Sequence, residues 1–202
     1  MIKLLINNSD SAEMSETSFG GKPVKNIGED FHWPKCAYCK LPMQFLAKLS
    51  IDEKLYQIFM CQNDPGMCEE WDANGGSNAV VVIKPFELEL VQEPSEGETL
   101  RETEHSAQVV SVDGDNYETA RIEWAEKNGV SPREVLGQIS GEPSWIQGNE
   151  TPNCTTCNKP MEFVAQLEQG PDWKTEMNFG GGGAAYLFHC RCNDSAKFLW
   201  QC

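Results

Sequence analysis

Eight of the nine cysteines fall into two sets with the spacing of metal ligands. The first set is Cys36, Cys39, Cys61 and Cys68, and the second is Cys154, Cys157, Cys190 and Cys192. Two cysteines separated by two residues can place both sulfurs on one metal ion from a tight turn, while a returning strand supplies the other pair. Four tetrahedral thiolates are a typical ligand set for structural Zn²⁺. The sequence therefore predicts two closed, structural zinc sites.

Two other uses of paired cysteines fit the sequence less well. Disulfides form in oxidising compartments, but the apolar run at residues 2–6 is too short for a secretory signal. We therefore expect a cytoplasmic protein whose thiols stay free for metal. Redox catalysis by a Cys-x-x-Cys motif needs a strand followed by a helix. Here Pro42 and Pro160 follow the two motifs, and segments that favour strands come next.

The number of cysteines also disfavours a catalytic metal. A catalytic zinc keeps an open position beside three protein ligands, whereas each set offers four thiolates. His189 precedes Cys190 and is the alternative to Cys192 as a ligand of the second set. Cys202 lies outside both sets and is expected to be an unligated thiol. His32 is expected to be structural or exposed, and no catalytic residue is predicted.

The cysteine sets lie inside an internal duplication. At an offset of 118, eight of the sixteen residues from 34 to 49 are identical to their counterparts. The identical residues are Pro34, Cys36, Cys39, Pro42, Met43, Phe45, Ala47 and Leu49 in the first copy, and Pro152, Cys154, Cys157, Pro160, Met161, Phe163, Ala165 and Leu167 in the second. We predict a first repeat at residues 1–86, an acidic connection with a helical insert at 87–139 and a second repeat at 140–202, within one compact domain.

Most of the remaining pattern favours strands. Apolar, aromatic strands are predicted before Cys61 and Cys190, which match at an offset of 129 together with Phe59 and Phe188. Further strands are predicted at residues 43–49, 79–83, 86–90 and 108–112. The glycine run at 180–183 is expected to be a hairpin connection, because a strand follows it. Tryptophans 33, 145 and 200 are expected to pack in the core or beside the zinc sites.

Helices are predicted only between the two copies. Tyr117, Ala120 and Trp124 recur at helical spacing, and Gly129 is the expected stop. Segment 131–139 opens with a capping box that has proline at the first helical position, and this predicts a second short helix. The predicted fold class is mainly β (α+β): an internally duplicated antiparallel sheet with a short helical insert and two treble- or ribbon-like zinc knuckles.

The strong acidity of the chain limits its partners. Sixteen basic and thirty-one acidic residues give a net charge of −15. Nucleic-acid binding depends on Lys and Arg that neutralise phosphates, so no nucleic-acid partner is expected. No apolar stretch approaches the ~20 residues that span a bilayer, so no membrane association is expected. A basic protein is the natural partner, with solubility as the alternative reason for the acidity. Seven glutamates at residues 87–104 either steer that partner or protect a sheet edge.

Three motifs of the chain resemble the bacterial YwqG-like family. They are Trp33-Pro34-x-Cys36-x-x-Cys39-x-x-Pro42-Met43-x-Phe45, Gly141-Glu142-Pro143-x-Trp145-Ile146-Gln147 and Gly182-Gly183-x-x-Tyr186-x-Phe188-x-Cys190. With its cysteines, the chain resembles a zinc-containing branch of that family. The cysteine and Pro-Met pattern is also similar to chaperones of the programmed-cell-death-2 type, which escort a newly made ribosomal protein. The resemblance implies a duplicated, mostly β fold without established catalytic residues.

The expected function is protein binding without catalysis. Linkage of the bacterial family to toxin loci implies an immunity protein that neutralises a toxin by binding it. The first alternative is a chaperone or adaptor that shields a basic client such as a ribosomal protein. The second alternative is a metal-dependent hydrolase. The acidity of the chain suits the first two functions equally.

Overall fold

The computed structural model describes residues 1–202, and most of its secondary structure is β-strand. Strands hold 37% of the residues and helix 7%, so the predicted mainly β fold is confirmed. The strands are β1 (Ile2–Asn8), β2 (Ser18–Phe19), β3 (Val24–Asn26), β4 (Gln44–Ile51), β5 (Lys54–Met60), β6 (Asn78–Ile83), β7 (Leu88–Leu90), β8 (His105–Val112), β9 (Val135–Ile139), β10 (Glu162–Glu168), β11 (Ala184–Cys190) and β12 (Ser195–Gln201). The helical elements are α1 (Tyr117–Asn128) and one 3₁₀ turn (Pro132–Glu134).

Ten strands form one antiparallel sheet that nearly closes on itself. Their order is β12-β11-β10-β9-β1-β8-β2-β4-β5-β6, and β3 pairs with β7 in a separate small sheet. The two outermost strands, β6 and β12, lie next to each other. At this seam the Trp200 amide donates to the carbonyl oxygen of Trp71 at 3.3 Å, and the two indole rings meet edge to face. The loop at Trp71 therefore covers part of the seam, although β6 and β12 form no hydrogen-bonded ladder with each other.

The sheet encloses a core to which both repeats contribute. Its buried side chains include Leu49 and Ile58 from the first repeat and Leu187 and Phe198 from the second. Leu5 of β1, in the middle of the sheet, belongs to the same cluster. Trp200 packs against this core, whereas the other two tryptophans of the prediction pack beside the cysteine clusters. The expected role of the three tryptophans in packing is confirmed.

The duplication predicted from the sequence extends to strand register. Phe45 pairs with Phe59 across β4 and β5, and Phe163 pairs with Phe188 across β10 and β11. In both hairpins the register shifts directly after the first phenylalanine, so a β-bulge stands at the same place. The segment Gly180–Gly183 leads into β11 as predicted. The two halves of the sheet are therefore copies in backbone geometry as well as in sequence.

The first predicted helix is confirmed. The side chain of Asn116 caps α1 by accepting a hydrogen bond from the Thr119 amide at 3.0 Å. Gly129 ends the helix in the left-handed conformation, with φ of 66°. The helix packs against β1 and β9. It is too short and too polar to cross a bilayer, and the chain has no other α-helix.

The second predicted helix is wrong. Ser131 does cap a turn by accepting from the Arg133 amide, but the turn is a single 3₁₀ turn. The chain then enters β9, all five residues of which are buried between β1 and β10. A strand can bury both faces and pair on both edges in this position, whereas a helix would expose one face. The strand predicted at residues 86–90 is also shorter, since only β7 is formed.

Candidate metal centres

The fold brings each predicted set of four cysteines together. Within each group, all four sulfur atoms lie within 4.8 Å of one another. Site 1 consists of Cys36, Cys39, Cys61 and Cys68, and site 2 consists of Cys154, Cys157, Cys190 and Cys192. In both sites the Cys-x-x-Cys turn precedes the first strand of a hairpin, and the third cysteine stands at the end of the second strand. The hairpins β4–β5 and β10–β11 therefore position three of the four sulfurs.

The two Cys-x-x-Cys turns share one backbone conformation. Each is closed by an isolated β-bridge, Lys35–Pro42 in site 1 and Asn153–Pro160 in site 2. The residue after the second cysteine is left-handed in both, with φ of 67° at Lys40 and 56° at Asn158. The amide two residues after the first cysteine donates to its sulfur at 3.4 Å in both turns. Each turn thus holds its first sulfur with a backbone hydrogen bond.

The sulfur spacing fits one tetrahedral metal ion per site. Four thiolates about 2.3 Å from a zinc-sized ion lie about 3.8 Å apart. The Sγ atoms of Cys39 and Cys61 are 3.6 Å apart in site 1, and those of Cys157 and Cys190 are 3.6 Å apart in site 2. A disulfide would need a sulfur–sulfur distance of about 2.05 Å, and all nine cysteines are free. Both groups can therefore hold metal ions.

Hydrogen bonds prepare one thiolate in site 1. Burial raises the pKa of the Cys36 thiol, but hydrogen bonds from Ser77 and from backbone amides outweigh burial and lower that pKa to about 6. The hydroxyl of Ser77 lies 3.1 Å from the sulfur of Cys36. Burial, followed by contact with neighbouring sulfurs, raises the pKa of Cys68. The hydrogen bonds therefore favour the thiolate form of Cys36, and a bound cation would stabilise the other three as thiolates.

Site 2 has the same electrostatic asymmetry in a more open position. Hydrogen bonds from the amides of Cys157 and Thr156 lower the pKa of Cys154 to about 6. The hydrogen bond with Cys190 raises the pKa of Cys192. Cys192 is exposed, whereas three of the four cysteines of site 1 are buried. Site 2 is therefore the more accessible of the two to solvent and to chelators.

Aromatic side chains pack beneath both sites at equivalent positions. Phe59 lies 5.3 Å from Phe45 below site 1, and Trp33 covers it edge to face at 5.5 Å. Phe188, the counterpart of Phe59, stacks on Trp145 at 5.9 Å below site 2. These contacts join each cysteine cluster to the sheet. Each site is therefore part of the packing that holds its hairpin.

His189 does not belong to site 2. Its ring lies edge to face on Tyr56, and its Nε2 atom is 3.3 Å from the ammonium of Lys54 and 3.4 Å from the carboxylate of Asp194. Burial lowers its pKa, and the charge of Lys54 lowers it further. Cys192 supplies the fourth sulfur, as predicted from the sequence in preference to His189. Neither exposed Cys202 nor exposed His32 reaches a cysteine group.

Four residues that contact the sulfurs were missed by the sequence reasoning: Ser77, Asn63, Asn193 and Ser195. Ser77 lies just before β6 and borders Cys36. The Oδ1 atom of Asn193 is 3.5 Å from the sulfur of Cys192, while its amide donates to Thr156. The only sequence signal was that Asn193 directly follows a cysteine. Ser77 lies nine residues from the nearest cysteine in sequence, so only the fold brings it to the site.

The two sites repeat each other in donor type, turn conformation and sulfur spacing. Every donor in both groups is a cysteine sulfur. The shared geometry indicates that the two groups are copies of one structural unit, each of which could hold a metal ion. No protein-family model and no curated protein matches the chain.

Proposed function

We propose that each site holds one structural Zn²⁺ ion and that the chain is a non-enzymatic, zinc-stabilised protein-binding domain. The observation that carries the proposal is the set of four sulfurs in each site. Four thiolates fill the coordination sphere of zinc and leave no open position for a substrate or a reactive water molecule. Thiolate is also the donor that favours zinc over calcium or magnesium. Free thiols throughout the chain fit a reducing compartment such as the cytoplasm.

An exposed surface on the small β3–β7 sheet supports a protein partner. Ile27, Phe86 and Leu90 have more than half of their surface exposed, at 59%, 86% and 56%. Exposed Glu29 and Glu87 lie beside them. Large exposed apolar side chains mark protein-binding surfaces when they cluster among polar residues. Exposed apolar side chains beside carboxylates fit a basic protein with apolar side chains at its contact surface.

Among protein-binding functions, we favour an immunity protein that occludes a basic toxin. The charge of −15 and the exposed carboxylates Glu29 and Glu87 beside the β3–β7 sheet support it, and so does the resemblance to the YwqG-like family. The alternative is a chaperone of a basic client, which the cysteine and Pro-Met pattern favours. The two functions differ in the state of the partner, because an immunity protein binds a folded toxin and a chaperone binds a client before assembly.

Co-expression with a basic toxin encoded beside the gene tests this function. We expect the wild-type chain to restore growth of cells that express the toxin, and to form a stoichiometric complex with it. The double variant Ile27→Ser, Phe86→Ser is expected to weaken that complex by at least about tenfold, because exposed apolar anchors carry much of an interface. Met67→Ser is the matched control, since Met67 is 71% exposed but lies in the site 1 loop.

Failure to restore growth would contradict the immunity function. Suppression of aggregation of a basic ribosomal protein, measured by light scattering, would then favour the chaperone. An unchanged complex in the double variant would remove the β3–β7 surface from the interface. Zinc content of every variant confirms that the fold is intact.

The acidic segment 87–104 gives a separate prediction on association rate. The side chain of Glu93 accepts a hydrogen bond from Thr99, whereas Glu96 and Glu98 are exposed. If the segment steers a cationic partner, Glu96→Lys with Glu98→Lys should slow association several-fold at low salt, and the difference should shrink as salt rises. Stopped-flow measurements at two ionic strengths test this.

A control with the same change in net charge separates local steering from overall charge. Glu123→Lys with Glu126→Lys alters two exposed positions on α1. Equal slowing by both pairs would show that only net charge matters. In that case the acidic segment serves as a protected edge, and it plays no specific part in recognition.

A further inference from the structure

A cleft of about 520 Å³ beside β4 contains three cationic side chains and no cysteine. It is formed where segments 11–14, 21–22 and 100–104 cover the outer face of the strand. Its cations are Lys22, Lys48 and Arg101. The cleft is of the size that holds a small molecule. It lies apart from both metal sites and borders the β3–β7 surface, with which it shares Leu90.

Lys48 is buried and Arg101 is partly buried, and neither has an anionic partner. Lys48 is 3% exposed, and none of the ion pairs of the chain involves either residue. One nitrogen of Arg101 donates to the carbonyl oxygen of Thr175, but its Nη1 atom is buried without a partner. The hydroxyl of Thr103, which also lines the cleft, is buried and unpartnered as well. Two buried polar atoms at one place, Arg101 Nη1 and the Thr103 hydroxyl, therefore lack the contacts that buried polar groups normally make.

The duplication supplies an internal comparison for Lys48. Its counterpart at the offset of 118 is Gln166. The amide oxygen of Gln166 accepts from the Ser144 amide at 2.9 Å, and its nitrogen is within 3.4 Å of Glu168. A neutral, hydrogen-bonded side chain thus occupies this position in the second repeat. The first repeat has a charged side chain without a partner in the same place.

Lys48 does not make the backbone hydrogen bond that Gln166 makes in the second repeat. In the second repeat, Gln166 and Tyr186 together hold the backbone of Ser144. In the first repeat, Gln57 alone holds the equivalent backbone, because its amide group both donates to and accepts from Val24. The fold therefore does not need a polar side chain at position 48. A largely buried lysine without an ion pair adds no stability to the fold, so its presence indicates a role outside folding.

The charges of the cleft favour a singly charged anion. Glu102 and Glu104 also line it, so two carboxylates stand against three cations. Glu104 and Glu16 act on Lys48 through space without forming an ion pair with it. A dianionic phosphate would meet more repulsion from these carboxylates than a carboxylate would. Guanidinium and ammonium groups both bind carboxylates through charge-assisted hydrogen bonds.

We propose that this cleft binds the carboxylate group of a small organic acid or of a peptide C-terminus. Lys48, Arg101 and Thr103 would supply the donors. Apolar side chains of Ala12, Met14, Leu90 and Leu100 line the rest of the cleft. They offer an apolar wall to a short aliphatic substituent on the acid.

Titration of the ¹⁵N-labelled, zinc-loaded chain with sodium isovalerate tests this assignment. We expect saturable shifts of the Gly21 and Thr103 amides with a Kd in the millimolar range, as suits a ligand of about seven heavy atoms. Neutral isovaleramide should bind at least about tenfold more weakly, because it lacks the charge. Acetyl-Gly-Leu with a free carboxylate, compared with its amide, distinguishes a peptide terminus from a free acid. Inorganic phosphate binding more tightly than isovalerate would overturn the carboxylate assignment.

Lys48→Gln places the residue of the second repeat in the first and is the decisive variant. It should weaken isovalerate binding at least about tenfold while the melting temperature stays equal or rises, because an unpaired buried charge is removed. Lys3→Gln, outside the cleft, is the matched control. If Lys48→Gln does not fold, Thr103→Val serves as the test variant in its place. Thr103→Val should weaken isovalerate binding about threefold. Absence of saturable shifts in the wild type, or wild-type binding by the folded variants, would overturn the proposal.

Discussion

Replacing Cys36 or Cys154 by serine is expected to remove one zinc equivalent from the chain and to lower its melting temperature by at least about 10 °C. Metal ligands are organised by the ion they hold, so binding energy is folding energy, on the order of 10–16 kcal/mol in small zinc domains. A decrease of a few kcal/mol in the free energy of unfolding lowers the melting temperature of a chain of this size by about 10 °C. Elemental analysis should give two zinc ions per wild-type chain, and calorimetry should give the shift.

The two substitutions should lower the stability of the chain by different amounts. Three cysteines of site 1 are buried, and its loop carries Trp71 to the seam between β6 and β12. We therefore expect Cys36→Ser to destabilise more than Cys154→Ser, and a chelator to empty the more exposed site 2 first. Cys202→Ser is the control and should change neither zinc content nor stability. A metal-free wild type of full stability would exclude structural zinc.

Gly137→Ala is expected to destabilise the fold by more than about 4 kcal/mol, an effect found only where backbone or core packing is violated. Gly137 lies in β9 between β1 and β10, at a φ of 145°. A Cβ atom there would lie 2.0 Å from the carbonyl oxygen of Gln166. This oxygen belongs to the backbone of β10, so it cannot move aside as the end of a flexible side chain can. Urea unfolding of the zinc-loaded variant, or its recovery only as aggregate, measures the loss.

Substitutions at two other glycines distinguish backbone strain from steric clash as the cause of the destabilisation at Gly137. Gly148 has ordinary backbone angles and open space around its Cβ position, so Gly148→Ala should be nearly neutral. Gly28 has a φ of 83° but also open space, so Gly28→Ala should cost about 1 kcal/mol from backbone strain alone. If Gly137→Ala costs no more than Gly28→Ala, the close packing of β9 against β10 is not as described.

Sequence reasoning identified the features that are encoded locally. The cysteine groups could be predicted because coordination chemistry fixes the spacing of the cysteines. The duplication could be predicted because identical residues recur in the same order at a constant offset. The helix α1 could be predicted from its period and its glycine stop. These signals each lie within a short stretch of chain or in a direct repeat of one.

What sequence reasoning missed depends on contacts between distant segments. Segment 131–139 has a helical start signal, yet β9 forms because β1 and β10 are available on both sides. Lys48 looks like one polar residue in an amphipathic strand. Only the fold shows that the segment around Arg101 buries it. Partners brought together by the fold, such as Ser77 and Cys36, leave no pattern in a single sequence.

The central position of β1 determines the order in which this chain can assemble. Ile2 pairs with Val112, and Lys3 pairs with Ile139, so both edges of β1 stay open until more than half of the chain is available. Such long-range pairing makes folding slow and exposes strand edges to aggregation in the meantime. The β4–β5 and β10–β11 hairpins need only local contacts and form on a much shorter timescale. Metal capture by the hairpins can therefore precede closure of the sheet, which leaves the joining of two preformed halves around β1 as the slow step.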